Sequence, residues 1–372
     1  MTWIHQTPDW PAFFWDSAAL SQKLADVRHR QGRLLGRMES LGFKLRTEAN
    51  LKTLTVNIVK SSAIEGETLS PDEVRSSIAL KLGIDLDNAT AISRNVEGIV
   101  EVMMDATRNY YQPLTKERLC GWHAALFPTG WSGLRRITVG DWRPESAGTM
   151  RVVSGPIERE RIHFEAPNVL QIESEMQAFL DWFEDTTDID PFVKAAIAHL
   201  WFVTIHPFED GNGRLARTIA DMALARADNT SDRFYSMSAQ IEKERKVYYA
   251  QLEQQQRRST DITGWIDWFL DCLRRAIDAA EAILETVLYK AAFWKMANRQ
   301  PINQRQRLVL NRLLDGFKGY MNTSKYAKIA KCSTDTALRD IRVLLTHGLL
   351  IQNASGGRST SYRLPTAEEL KV

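Results

Sequence analysis

Apolar side chains return every three or four residues along most of this chain, the spacing that lines one face of an α-helix. Leu20, Leu24, Val27, Leu34, Met38 and Leu41 share one side of a first helix, with Asp16 or Ser17 at its start and Gly42 at its stop. Leu51, Leu54, Ile58 and Val59 give a second over about 47–65, ending at Gly66. A third opens in "SPDEVRSSIALKLG", where Ser70 precedes Pro71 in the first turn. Amphipathic segments over about 92–107 and 114–126 continue the series.

The pattern then changes. "LRRITVGDWRPESAGTMRVVSGPIERERIHFEAP" is rich in Gly, Pro and β-branched residues, and its short alternating runs predict one or two hairpins. Helices resume over about 170–185 and 191–205, the latter capped by Asp190 with Pro191 in its first position. Its sequence "FVKAAIAHLWFVTI" is apolar nearly all round, which marks a buried central helix. Long helices follow over about 239–256 and 262–290, and "ANRQPINQ" reads as a linker. The expected fold class is mostly α.

Composition narrows the setting. At 372 residues the chain has room for two or three domains. No apolar run approaches the ~18 residues that span a membrane, and "MTWIHQTPDWPAFFW" lacks the basic and apolar regions of a secretory signal. Cys120, Cys272 and Cys332 are far apart with no metal-ligand spacing, so they read as reduced thiols of a cytoplasmic protein. Residues 301–372 carry 12 Lys+Arg against 5 Asp+Glu, so their net charge of +7 leaves −5 for the rest. A basic tail on an acidic body suggests a separate anionic partner for the tail.

The candidate chemistry lies in "HPFEDGNGRLAR", residues 206–217. Pro207 ends the buried helix, so a loop must lead to a new helix near Gly213. Gly211 and Gly213 let backbone N–H groups approach a ligand, and a helix N-terminus is a ready anion site. Arg214 and Arg217 are disfavoured in a first turn and repel each other, which makes sense where a polyanion sits. Asp210 is suited to Mg²⁺, and His206 to general-base work near neutral pH. Phe208 reads as an anchor for the loop. Of the seven histidines, only His206 stands among other candidate catalytic groups.

The stretch resembles the signature of the Fic family, HPFx[D/E]GNGRxxR, at every fixed position. The resemblance implies an all-α core that transfers AMP from Mg-ATP to a Ser, Thr or Tyr hydroxyl of a target protein, or of the chain itself. It implies that His206 is the base and that Asp210 holds the Mg²⁺. The amides of Gly211, Asn212 and Gly213, with the Asn212 side chain, would cradle the phosphates. Arg214 would meet the β-phosphate and Arg217 the γ-phosphate. "GDWR" and "VVSGPIERERIHFEAP" resemble the family's flap hairpin, whose edge receives the target as an added strand, here along Val152, Val153, Ser154 and Gly155. "VYYAQLEQQQ" resembles the helix that walls the adenosine pocket, so Tyr248 and Tyr249 are expected there, with Gln256 where an asparagine often stands.

Far upstream, "SSAIEG" (61–66) matches the family's inhibitory motif [S/T]xxxE[G/N], placed N-terminal to the core. By resemblance Ser61 opens that motif and Glu65 pairs with Arg217, spoiling the pose of ATP. In some members the same glutamate serves removal of AMP. The tail, "TSKYAKIAKCSTDTALRDIRVLLTHGLLIQNASGGRSTSYRL", reads as two helices and a hairpin and looks like a winged helix. Thr334, Asp335, Thr336 and Arg339 would face a DNA groove, with Arg358 on the wing; protein contacts or dimerisation are the alternative use. The expected divisions are 1–95, a helical region with the inhibitory helix; 96–298, the catalytic core; and 299–372, the winged helix. Rival readings are a transferase of another phosphate-containing group, and an ATP-sensing DNA-binding regulator. The target protein, and whether the chain forms a homodimer, stay open.

Overall fold

The computed structural model describes residues 2–86, 89–155, 159–185, 188–314, 317, 319–353 and 360–371. It divides into two compact units, Met1–Glu281 and Ala282–Val372. The first unit is built from α1 (Ser17–Glu39), α2 (Phe43–Ile64), α3 (Pro71–Leu82), α4 (Arg94–Arg108), α5 (Lys116–Leu126), α6 (Ile172–Glu184), α7 (Pro191–Ile205), α8 (Asn212–Asp228), α9 (Met237–Lys243), α10 (Arg245–Gln256) and the start of α11 (Thr263–Ala297). Two antiparallel hairpins interrupt the helices: β1 (Trp131–Ser132) with β2 (Arg135–Arg136), and β3 (Arg151–Ser154) with β4 (Arg161–Glu165). The mostly α expectation holds. No helix among the described residues is long and apolar enough to cross a membrane.

Capping sets the starts. Asp16 accepts from the Ala19 amide, Thr115 from Arg118, and Asp190 from Phe192 and Val193, each satisfying donors that an α-helix leaves unpaired. Helix α7 is buried on every side, as its apolar run predicts, and lies between α6 and α8 at the centre of the unit. Helix α2 starts earlier than expected, because Gly42 caps it and the amides of Leu45 and Arg46 both bond to the Gly42 carbonyl. The single helix expected over 239–256 is two. Glu244 departs from helical geometry at φ −115° and ψ 30°, and Arg275 of α11 grips its carboxylate at 3.0 and 2.8 Å.

A buried polar network joins α2 to α8. Asn57 donates to Asp221 at 2.8 Å and accepts from Ser236, and Arg233 reaches both Asp221 and Asp228. Breaking such a network leaves uncompensated buried charge, so the helix preceding Glu65 is fixed to the helix carrying the two arginines.

The second unit contains α12 (Gln304–Leu314), which the sequence pattern did not single out, then α13 (Thr323–Ala330), α14 (Thr334–Thr346), and a hairpin of β5 (Ile351–Gln352) and β6 (Tyr362–Arg363). Met321 bridges to Tyr362 beside that hairpin. Leu310, Met321, Tyr326, Ile341, Leu344 and Tyr362 belong to its core. Asn322 and Ser333 cap α13 and α14. The expected wing residue Arg358 lies outside the described residues.

Candidate active site

Helices α7 and α8 pack against each other, and residues 206–211 join them. His206 caps α7 in the left-handed region, φ 55° and ψ 55°. A non-glycine residue held there is strained by about 1 kcal/mol or more, and such strain persists only where surroundings enforce it. Arg143 is the enforcer. Its backbone N–H donates to the Pro207 carbonyl (2.8 Å), its Nε to that of His206 (3.0 Å), and its Nη2 to that of Pro167 (2.5 Å). "GDWR" therefore lies apart from the β3–β4 hairpin and braces the loop, which corrects its reading as flap.

The proton on His206 is assigned by its partner. Nδ1 lies 3.1 Å from the Val203 carbonyl, which can only accept, so Nδ1 carries the hydrogen and Nε2 keeps a lone pair. Burial lowers its pKa, and the bond to Val203 only partly opposes this. The imidazole is thus neutral at pH 7 and able to take a proton.

The rest of the loop is pinned from three sides. Phe208 is fully buried and stacks on His123, ring centroids 4.1 Å apart and 6° from parallel. His123 accepts from the Gly140 amide at Nδ1, so Nε2 donates to the Asp210 carbonyl at 3.2 Å. Burial pushes its pKa down to about 4, which keeps that tautomer neutral. The Asn212 side chain bonds both backbone groups of Phe208, at 3.0 and 2.8 Å. The Asn212 side chain, expected to help cradle phosphates, is thus engaged in tying the loop. His123 had no sequence signal beyond being a histidine on a helix, yet it holds the loop as firmly as any signature residue.

Asp210 faces out of this frame. Its Oδ1 accepts from the Gly211 amide at 2.6 Å and its Oδ2 from the Ser132 hydroxyl on β1. Glu209, beside it, ties the β1–β2 hairpin through Arg135 and the Thr138 amide. The hard oxygen donors of Asp210 suit Mg²⁺. Among the described residues no group of three or more His, Cys, Asp or Glu could hold a metal by itself, so such an ion would take Asp210 together with phosphate oxygens.

At the start of α8 the first amides lack intrahelical acceptors. The Glu65 carboxylate lies against this first turn, so close to Gly213 that a Cβ there would overlap Oε1. Glu65 pairs with Arg217 at 2.8 Å, and Arg217 also donates to the Ser61 hydroxyl (3.1 Å) and carbonyl (2.9 Å). Burial is the largest influence and works against the Arg217 charge, but Glu65, Tyr248 and Tyr249 together outweigh it and hold the pKa above its ordinary value. Arg214, nearly as buried, pairs with Glu67 at 2.8 Å, a partner the sequence reading passed over.

Two family models match the chain: a domain of unknown function, DUF4172, over residues 3–84, and the Fic/DOC family over residues 113–224. Residues 113–224 are a Fic domain. Over 181 residues the chain is 29% identical to a protein adenylyltransferase fic-1 of Caenorhabditis elegans, covering 47% of this chain and 32% of that protein. Over 110 residues it is 36% identical to a protein adenylyltransferase Fic of Nematostella vectensis, covering 29% of this chain and 24% of that protein. The chain thus matches about a quarter to a third of the length of these relatives. A Fic-domain signalling protein of Bacteroides thetaiotaomicron shares the fold at TM-score 0.50 and 18% identity, over 69% of this chain and 96% of that one.

Around the Fic domain's loop, the expected flap is β3–β4. Val152, Val153 and Ser154 lie on β3 and Gly155 follows; all are exposed, and among the described residues β3 pairs only with β4. The register shifts between Val152 and Val153, because His163 is the extra residue of a bulge on β4. His163 bonds Ser154 and Glu253 of α10, both at 2.6 Å, so the hairpin is fastened to α10.

The adenosine wall is only partly as expected. Tyr249 is 37% exposed and donates to the Ile64 carbonyl and the Glu65 carboxylate, which puts it at the site. Tyr248 is buried against His199 and Trp268, and Gln256 is buried with its amide on Thr204. Both are buried on the inward face of α10, where the Tyr248 side chain also interacts with Arg217.

Proposed function

We propose that this chain is a protein adenylyltransferase, moving AMP from Mg-ATP to a hydroxyl of a target protein. The observation that carries the reading is His206: among the described residues its Nε2 lone pair has no hydrogen-bond partner, and it stands at the lip of a helix N-terminus that carries two arginines. That combination joins a base to an anion cradle, which in-line phosphoryl transfer requires. Nε2 would take the proton of the acceptor hydroxyl as its oxygen attacks the α-phosphorus, and pyrophosphate would leave. The α8 amides, Arg214 and Arg217 would hold the phosphates and stabilise their charge. Mg²⁺, held by Asp210, would neutralise part of that charge. The names of the relatives support the reaction class.

The same proposal includes self-inhibition by Glu65, supported by its carboxylate lying against Gly213 and pairing with Arg217. Removal of AMP is a second activity favoured by one observation: the Glu65 side chain is 32% exposed, so a water can stand beside it. For the second unit we propose DNA binding by a winged helix. Thr334, Asp335 and Arg339 are exposed on the first turns of α14, near Lys325, Lys328 and Lys331 in the chain, while Thr336 is partly committed to the Ser333 cap.

The test is mass spectrometry of lysate protein treated with Glu65→Gly enzyme and Mg-ATP. An adenylyl phosphodiester on Ser, Thr or Tyr supports the proposal. A bare phosphate on those residues makes the domain a kinase and overturns it.

A further inference from the structure

The acidic segment that follows α2 carries two carboxylates, and only one has a role so far. Helix α2 ends in a tight reversal: the Glu67 amide bonds the Ser62 carbonyl (3.0 Å) and the Gly66 amide that of Ala63 (3.1 Å). Gly66 supplies the left-handed residue this reversal needs, at φ 87°. Residues 65 and 67 therefore flank one sharp turn. Opposite them, Arg214 and Arg217 are neighbours one turn apart on α8. The match is one to one: Glu65 takes Arg217 and Glu67 takes Arg214, each at 2.8 Å.

We propose that Glu67 sets how tightly the site takes a nucleoside triphosphate, by competing with a phosphate for Arg214. This rests on the adenylyltransferase reading above. The side chain of Arg214 is 6% exposed and stacked 4.9 Å from the Phe127 ring centroid, so it cannot swing away to a new partner. Its buried Nε has no acceptor among the described residues, which leaves the guanidinium with unused donor capacity. A phosphate reaching Arg214 must displace Glu67 or share the guanidinium with it, at the expense of charge repulsion. Glu65 differs in kind. It lies against Gly213 in the first turn of α8 as well as pairing with Arg217, and in the self-inhibition proposed above it would misplace bound phosphates. Glu67 is thus a positioning residue acting through Arg214 on affinity, and Glu65 acts on the rate of the bound complex.

Calorimetry with the full chain, Mg²⁺ and a non-hydrolysable ATP analogue tests this. Glu67→Gln keeps the size and removes the charge, and its Kd is expected to fall about five- to tenfold. Glu67→Asp, which withdraws the carboxylate by one methylene, should give a smaller fall and serves if the first variant folds poorly. In a Glu65→Gly background, Glu67→Gln should lower KM for ATP with kcat unchanged, a split that mere loosening of the turn does not produce. Equal or weaker binding by folded Glu67→Gln and Glu67→Asp overturns the inference. Analogue binding by no variant overturns the nucleotide reading with it. Binding that tightens without any AMP transfer sinks the adenylyltransferase reading alone and upholds the competition at Arg214.

Discussion

Removing the Glu65 carboxylate should raise AMP transfer and lower stability in the same variant. The magnitude follows from burial. Losing one partner of a fully buried ion pair costs about 3–5 kcal/mol, and of an exposed pair at most about 1 kcal/mol. Arg217 is 2% exposed but Glu65 32%, and Arg217 keeps its two hydrogen bonds to Ser61. An intermediate loss of about 1.5–2 kcal/mol is therefore expected. In the unit Met1–Glu281 that lowers Tm by roughly 2–4 °C. Under the proposed self-inhibition the same interaction would oppose the productive pose of the triphosphate, so its removal should raise the rate about 10- to 30-fold. Saturating ATP should return much of the lost stability, since ligand at a hundredfold excess over Kd contributes about 2.7 kcal/mol. The assay is the initial rate of AMP transfer at saturating Mg-ATP, beside thermal melts with and without nucleotide. Glu65→Gln, neutral and of equal size, should fall between wild type and Glu65→Gly in rate. A Glu65→Gly protein that is folded, less stable and no faster than wild type would refute the reasoning.

Other outcomes follow from the loop. His206→Ala should abolish transfer and leave calorimetric ATP binding within about twofold, because the proposal makes the imidazole a base and not a phosphate ligand. Since burial lowers the His206 pKa, the rate of Glu65→Gly enzyme should be flat above neutrality and fall only as pH drops below the ordinary histidine value of 6.5. Stability should decline in the same direction. His123 and His199 are held neutral with pKa values of about 4 and about 3, so the unfolded chain takes up protons first, and melts at pH 5 should come earlier than at pH 7.5. Asn212→Ala leaves the buried Phe208 amide and carbonyl unpaired and should lower stability by about 2–3 kcal/mol, read by urea unfolding. His123→Ala removes the ring under Phe208 and the donor to Asp210. It should cut kcat without touching substrate, as a kcat-against-KM comparison would reveal.

The sequence made the helical hairpin legible because its signals are local. Asp190 and Pro191 start α7, Pro207 ends it, and two glycines open α8. The pairing of Glu65 with Arg217, 152 positions apart, came from the resemblance and is found in the fold. Glu67 was within sight in the same "EGE", but nothing local says that a glycine turn sends both glutamates toward one helix end. Arg143 and His123 were beyond reach for another reason. Their work is to hydrogen-bond backbone carbonyls distant in sequence, which leaves no periodic or spacing signal. Tyr248 and Gln256 are buried while Tyr249 is partly exposed, because a motif match does not tell which way a helix face turns.

The most direct test supplies wild type, Glu65→Gly and His206→Ala with Mg²⁺ and ATP labelled at either the α- or the γ-phosphate, and follows label onto protein. AMP transfer under self-inhibition requires α-label from Glu65→Gly, little from wild type, none from His206→Ala, and no γ-label from any of them. Label from the γ-position, or α-label as strong from wild type as from Glu65→Gly, would contradict it.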